Sequence, residues 1–165
     1  MLKSVLLDKF KIKQDSIFDL EELYKQLFRW FENNGYSFYE KVYQDQDTPG
    51  GKIILISWTA ERKIDTYLKF VIDISYTVTG LSKIELERSG AKISTNKGKV
   101  EFEITAYLSK DYDNKWSNTP FMKNARRIYD SYIIRDRIER LEGELVNEYQ
   151  ALIDEIRSFL VLHKF

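Results

Sequence analysis

Lys123, Arg126, Arg127, Arg135, Arg137 and Arg140 crowd one stretch of the chain, with Tyr129 and Tyr132 set among them. Guanidinium groups grip phosphates and carboxylates through paired hydrogen bonds, and tyrosine rings stack on bases or pack at protein interfaces. The stretch is therefore a candidate interaction face, for a protein partner or for RNA and phosphate. Asp130, Asp136, Glu139, Glu142 and Glu144 are interleaved with these cations, several of them three or four positions from an arginine. That spacing also builds an ordinary ion-paired solvent face.

A second cluster, Glu61, Arg62, Lys63 and Asp65, lies beside Trp58 and Tyr67. Carboxylates next to bases in a cleft can exchange protons with a substrate. Cross-strand ion pairs on a hairpin have the same composition. Asp45 with Asp47, and Asp111 with Asp113, alternate as calcium-binding acids do, but neither pair sits in a full calcium-loop pattern. Turn formation is their expected role. His163 is the only histidine, so neither a conventional triad nor a multi-histidine metal site is available, and a helix-end cation is expected there. The chain has no cysteine, which removes disulfides and thiolate chemistry. Gly50-Gly51 lacks the following helix that a phosphate-binding loop needs. The expectation is a protein without catalytic, cofactor or metal residues.

These residues must be held by a scaffold, and hydrophobic periodicity outlines one. With 165 residues, 43% of them hydrophobic and 32% charged, the chain reads as a single α+β domain over 1–165. Residues 2–13 predict a strand or arm. Asp19 with Glu22 forms a capping box, Phe18 and Leu23 a hydrophobic staple, and Asn34-Gly35 a stop, so a helix spans about 19–34. Residues 36–44 alternate, with Phe38 and Val42 opposite Tyr39 and Tyr43. A breaker-rich turn follows at 45–51, then a strand at 53–58 buried on both faces. Residues 66–79 alternate, Gly80 turns the chain, and 99–109 alternate again after hairpin signals at Ser89-Gly90 and Asn96-Lys97-Gly98. Short connections make this an antiparallel meander of about four to six strands.

Pro120, after a cap at Asn118 or Thr119, opens a helix carrying Phe121, Ala125, Ile128, Tyr129, Tyr132 and Ile133 on one face. The helical pattern from there to the C-terminus is interrupted only by Gly143, so the chain either continues as one helix or bends near 134 into a second helix, about 135–162. Ile138, Leu145, Leu152 and Phe159 repeat every seven residues, as in a coiled coil, but Glu148 and Glu155 interrupt the seam. The wider set 138, 145, 146, 149, 152, 153, 156, 159 and 160 instead suits a helix laid across the apolar face of the sheet. In such a helix-grip-like arrangement Phe70, Ile72, Tyr76, Phe102, Ile104, Tyr149, Ile153 and Ile156 would line any cavity between helix and sheet.

Trp58, Glu61-Arg62-Lys63, Asp65, Tyr67, Lys69-Phe70, Asp111-Tyr112, Ile128-Tyr129-Asp130 and Tyr132-Ile133-Ile134-Arg135 together resemble a pattern seen in small archaeal proteins, over about 36–162. The resemblance implies a cytoplasmic α+β protein and carries over no catalytic residue. Lys plus Arg and Asp plus Glu both number 26, so the domain as a whole attracts neither nucleic acid nor anionic membrane. Zero net charge also lowers repulsion between copies. The expected function is a non-enzymatic interaction or assembly module in the cytoplasm, partnered by protein or by itself and not by membrane. A small apolar ligand, or RNA on the arginine-tyrosine face, gives the alternative readings.

Overall fold

The computed structural model describes residues 2–116 and 118–162, so His163 lies outside the described residues. The element order is β1 (Leu2–Leu6), β2 (Phe10–Phe18), α1 (Leu20–Asn33), β3 (Ser37–Thr48), β4 (Gly51–Lys63), β5 (Leu68–Arg88), β6 (Ala91–Lys110), α2 (Pro120–Ile128), a π turn (Tyr129–Ile133) and α3 (Arg135–Leu162). The sheet is antiparallel throughout and ordered β1-β6-β5-β4-β3, with β2 also paired to β6. β1 and β2 thus lie end to end along one edge, and β3 forms the other. The chain crosses the sheet through α1 and then returns as the meander.

Both helices cover the same face. Alternation places Ile54, Ile56, Trp58 and Ala60 of β4, the even-numbered Leu68 to Val78 of β5, and Val100 to Leu108 of β6 on that face, all buried. α1 contributes Leu23, Leu27 and Phe31, and its Tyr24 meets Trp58 edge-on at 4.9 Å between ring centroids. α3 contributes Ile138, Leu141, Leu145, Tyr149, Leu152, Ile153, Ile156, Phe159 and Leu160, the predicted stripe with Leu141 added and Val146 only half-buried. Its 28 residues extend ~42 Å, enough to cross the domain. The two glutamates at the coiled-coil seam now have a reason. Glu148 receives the Tyr36 hydroxyl at 2.5 Å and Arg62 at 2.6 Å, and Glu155 receives Gln26 of α1 at 2.6 Å. They are charged because they join α3 to α1 and to the strand region, not to a second α3. The eight residues proposed as a cavity lining are packed as core, each at most 4% exposed.

Several boundaries differ from the periodicity. β3 runs through Asp45 and Asp47 to Thr48, leaving a tight turn at Pro49-Gly50 in place of the long 45–51 loop. The ladder pairs Asp45 with Ile54 and Asp47 with Lys52, and Lys52 reaches the Asp45 carboxylate at 3.3 Å. A bulge between Glu40 and Val42 reverses the side-chain phase, so Phe38 and Tyr43 share the helix-covered face while Tyr39 and Val42 point away. Gly80 is not a turn. It sits in a second bulge, between Thr79 and Ser82, inside the single 21-residue β5. The hairpin tip is Ser89-Gly90, and Asn96-Lys97-Gly98 belongs to β6. Residues 53–57 alternate between buried and half-buried rather than being buried on both faces. The N-terminal strand extends to Phe18, beyond the expected 13.

The β3–β4 turn packs directly on the β5 bulge. Gly51 has φ +113°, and a Cβ there would stand 2.8 Å from the Gly80 carbonyl carbon. Gly51→Ala combines backbone strain with a backbone clash and is expected to cost roughly 2–4 kcal/mol. The urea midpoint reads this directly; an unchanged midpoint would mean that the turn and the bulge part without cost.

Candidate interaction surface

The arginine-tyrosine stretch occupies α2, the π turn and the first turns of α3. Thr119 caps α2, its hydroxyl accepting from the Met122 amide at 3.1 Å, with Pro120 at the first position. The Ile134 amide donates back to the Tyr129 carbonyl at 3.1 Å, the five-residue step of a π turn. This step separates the phase of α2 from that of α3. Ile134, Ile138 and Leu141 point into the core, whereas α2 contains no buried residue at all.

A polar and aromatic mount fixes α2 to the body. Asp111, 2% exposed, accepts the Trp116 amide at 3.2 Å and pairs with Arg126 at 3.4 Å. Asp130 takes the Tyr67 hydroxyl at 2.6 Å and lies 3.5 Å from the Lys110 ammonium. Tyr129 stacks on Trp116 with centroids 5.4 Å apart, and Tyr67 meets Tyr129 edge-on at 5.6 Å. Burial and the hydrogen bond to Asp130 together push the Tyr67 phenol far above its ordinary range.

The expected single apolar face therefore splits. Tyr129, Met122 and Arg126 are half-buried on the body side, and the half-buried Ala125 lies between that side and the outer one. Phe121, Ile128, Tyr132 and Ile133 remain 78%, 54%, 82% and 67% exposed. A helix normally buries its apolar side and presents its charges. Here Arg126 and Asp130 face the body and the large apolar side chains face outward. Their ridge is the main feature of the site, and its exposure could not be read from periodicity because the pattern contains no information about which side is mounted.

The predicted cations are dispersed around this ridge. Arg126 is turned inward. Arg137 reaches Asp65 at 2.8 Å, and Arg135 reaches Glu139 at 3.0 Å. Lys123, Arg127 and Arg140 are exposed. Much of the positive charge is thus matched by carboxylates, which leaves the apolar ridge rather than a guanidinium cluster as the distinctive surface.

The Glu61–Asp65 cluster is also distributed. Glu61 pairs with Lys69 at 2.9 Å on the outer sheet face. Arg62 points the other way, donating to the Asn34 carbonyl at 3.0 Å and covering the Phe70 ring at 5.0 Å. The Lys63 ammonium lies 5.7 Å from the Tyr112 ring centroid. Asp65 shapes the β4–β5 turn by accepting the Tyr67 and Leu68 amides at 2.7 and 2.8 Å. Asp111 and Asp113 are likewise separated, the former on Arg126 and the latter 3.6 Å from Lys115. Among the described residues no three His, Asp or Glu side chains converge as a metal site. No helix among them is long and apolar enough to cross a membrane.

No family model matches the chain, and no curated protein matches it.

Proposed function

We propose that this chain is a non-enzymatic assembly module that associates with a second copy of itself through the α2 ridge. The supporting observation is the exposed apolar stripe on a firmly mounted helix. Contiguous exposed apolar surface of this kind marks interaction sites. Phe121, Ala125, Ile128 and Tyr132 are spaced four, three and four residues apart, a sequence that reads the same from either end. An antiparallel two-fold axis midway between Ala125 and Ile128 sets the Phe121 ring of one copy against Tyr132 of the other. The same axis sets Ile128 against the small Ala125. Self-complementarity is what an isologous two-fold interface requires. The zero net charge of the chain adds no long-range repulsion to oppose it.

Sedimentation equilibrium tests this reading. A concentration-dependent dimer is expected. Ile128→Glu and Tyr132→Glu are expected to return it to monomer while changing stability by no more than about 0.5 kcal/mol, because both side chains are exposed. A clean monomer at high concentration contradicts the proposal. A dimer insensitive to both variants places the interface elsewhere and also contradicts it.

A further inference from the structure

An open groove of about 680 Å³ lies between the N-terminal turns of α1 and the sheet, away from α2. Its walls are mostly apolar: Leu20 and Tyr24 from α1, Tyr43 from β3, Ile54 and Ile56 from β4, and Leu81 from the β5 bulge. Two bulges open it. The Glu40–Val42 bulge brings Tyr43 onto this face, and the Thr79–Ser82 bulge brings Leu81 to it. The first turn of α1 is tied down by the Leu20 amide, which donates to Asn96 at 3.3 Å.

The polar rim has a definite charge balance. Glu21 is held by Lys25 at 2.6 Å, and Asp45 by Lys52 at 3.3 Å. Lys83, also on the rim, makes no ion pair among the described residues. Lys52 is shared between Asp45 and Asp47, so among the described residues Lys83 is the one rim cation with no carboxylate beside it at the mouth of an apolar groove. Behind the Ile54 and Ile56 wall, the Tyr76 hydroxyl is buried with no hydrogen-bond partner among the described residues. Tyr76 stands opposite Ile56 in the ladder, on the same helix-covered face as the groove.

We infer that this groove binds a single-chain amphiphilic carboxylate, with its hydrocarbon chain along Leu20, Tyr24, Ile54, Ile56 and Leu81 and its head at Lys83. The volume falls within the range of small-molecule sites, and the apolar wall with few polar groups is their usual composition. The site differs from a cavity beneath α3, where the side chains are packed as core. It is independent of the assembly proposal, since no groove residue belongs to α2.

Titrating the full chain with dodecanoate below its micelle concentration, followed by amide chemical shifts, tests the inference. Saturable one-to-one binding is expected, with shifts confined to residues 20–25, 43–56 and 81–83 and Asn96. Decanoate is expected to bind about tenfold more weakly, as loss of two buried methylenes dictates. Dodecyltrimethylammonium is expected to bind at least about tenfold more weakly, because its head repels Lys83. Tyr43→Asp and Lys83→Glu, both at exposed positions and so tolerated by the fold, should each weaken dodecanoate by about fivefold or more. The inference fails if binding does not saturate, if chain length has no effect, if the cationic amphiphile binds as well, or if both variants bind as the parent does.

Discussion

Replacing Asp111 by alanine is expected to destabilise the fold by about 3–5 kcal/mol, the usual cost of removing one member of a buried ion pair. The group that loses its carboxylate is the Arg126 guanidinium, whose side chain is only 13% exposed. Two further losses add to the effect. The Trp116 amide loses its acceptor, and alanine must take the φ of +49° that Asp111 adopts, a conformation aspartate tolerates better. Asp111→Asn keeps the backbone and one acceptor, so its cost should be smaller. Arg126→Met made together with Asp111→Asn should recover part of the loss, because the buried charge that faced the Asp111 carboxylate is gone. Urea denaturation of the parent, Asp111→Asn, Arg126→Met and the double variant gives the coupling between the positions. A loss below about 1 kcal/mol for Asp111→Ala would show that Arg126 finds another outlet, and would remove the main support of the α2 mount.

The second large effect is alkaline. Burial is the principal cause that raises the phenols of Tyr36, Tyr67 and Tyr76 well beyond the ordinary tyrosine range, and it pushes Tyr107 up to about 12. Hydrogen bonds to Glu148 and Asp130 add to the shift at Tyr36 and Tyr67. In the unfolded chain these phenols ionise near pH ~10. Between that pH and their folded values the native state holds more protons than the unfolded state, so stability falls as pH rises. It is fully present below ~10 and is lost above it, by up to about 1.4 kcal/mol per pH unit for each phenol. Four such groups acting together would exhaust a stability of roughly 5–15 kcal/mol within about one to three units. Tyrosinate absorbance and far-ultraviolet circular dichroism should therefore change together in one steep alkaline transition. Ionisation of all the tyrosines well before the fold is lost would contradict the burial that causes it.

The fold was legible wherever alternation or a cap ran unbroken. Leu68 to Val78 declared one face, Asp19 declared the start of α1, and the wide stripe from Ile138 to Leu160 declared a helix packed on a sheet. What was hidden depends on residues that have no local signature. The bulge beside Lys41 shifts the phase of β3 without a glycine to announce it. Gly80 announces a break but serves a bulge instead of a turn, since the ladder resumes two residues later. Glu148 looked like a flaw in an apolar seam until Arg62 and Tyr36, far away in sequence, were beside it.

The candidate surface was half legible. Its residues stand together in the chain, and their types suggested an interface. Their division between mount and ridge is tertiary. Arg126 faces inward because Asp111 is there, and Tyr129 because Trp116 is there. The groove beside α1 gave less warning still, because Tyr43 and Leu81 join it only through the two bulges.

The Tyr149 hydroxyl has a consequence for the time course of folding. It accepts the Phe10 amide at 3.1 Å and lies 2.9 Å from both the Asp8 and Ile104 carbonyls, at the break between β1 and β2. A residue of α3 thus closes the junction in the edge strand across 139 positions of chain. On a ribosome adding about 5–20 residues per second, that junction waits roughly 7–30 s for its latch to be made. During this interval the meander hairpins, whose contacts are local, can already be formed. The edge of the sheet is therefore completed late, and the protein passes through a nascent state in which the two ends of its edge strand are held by different generations of contacts.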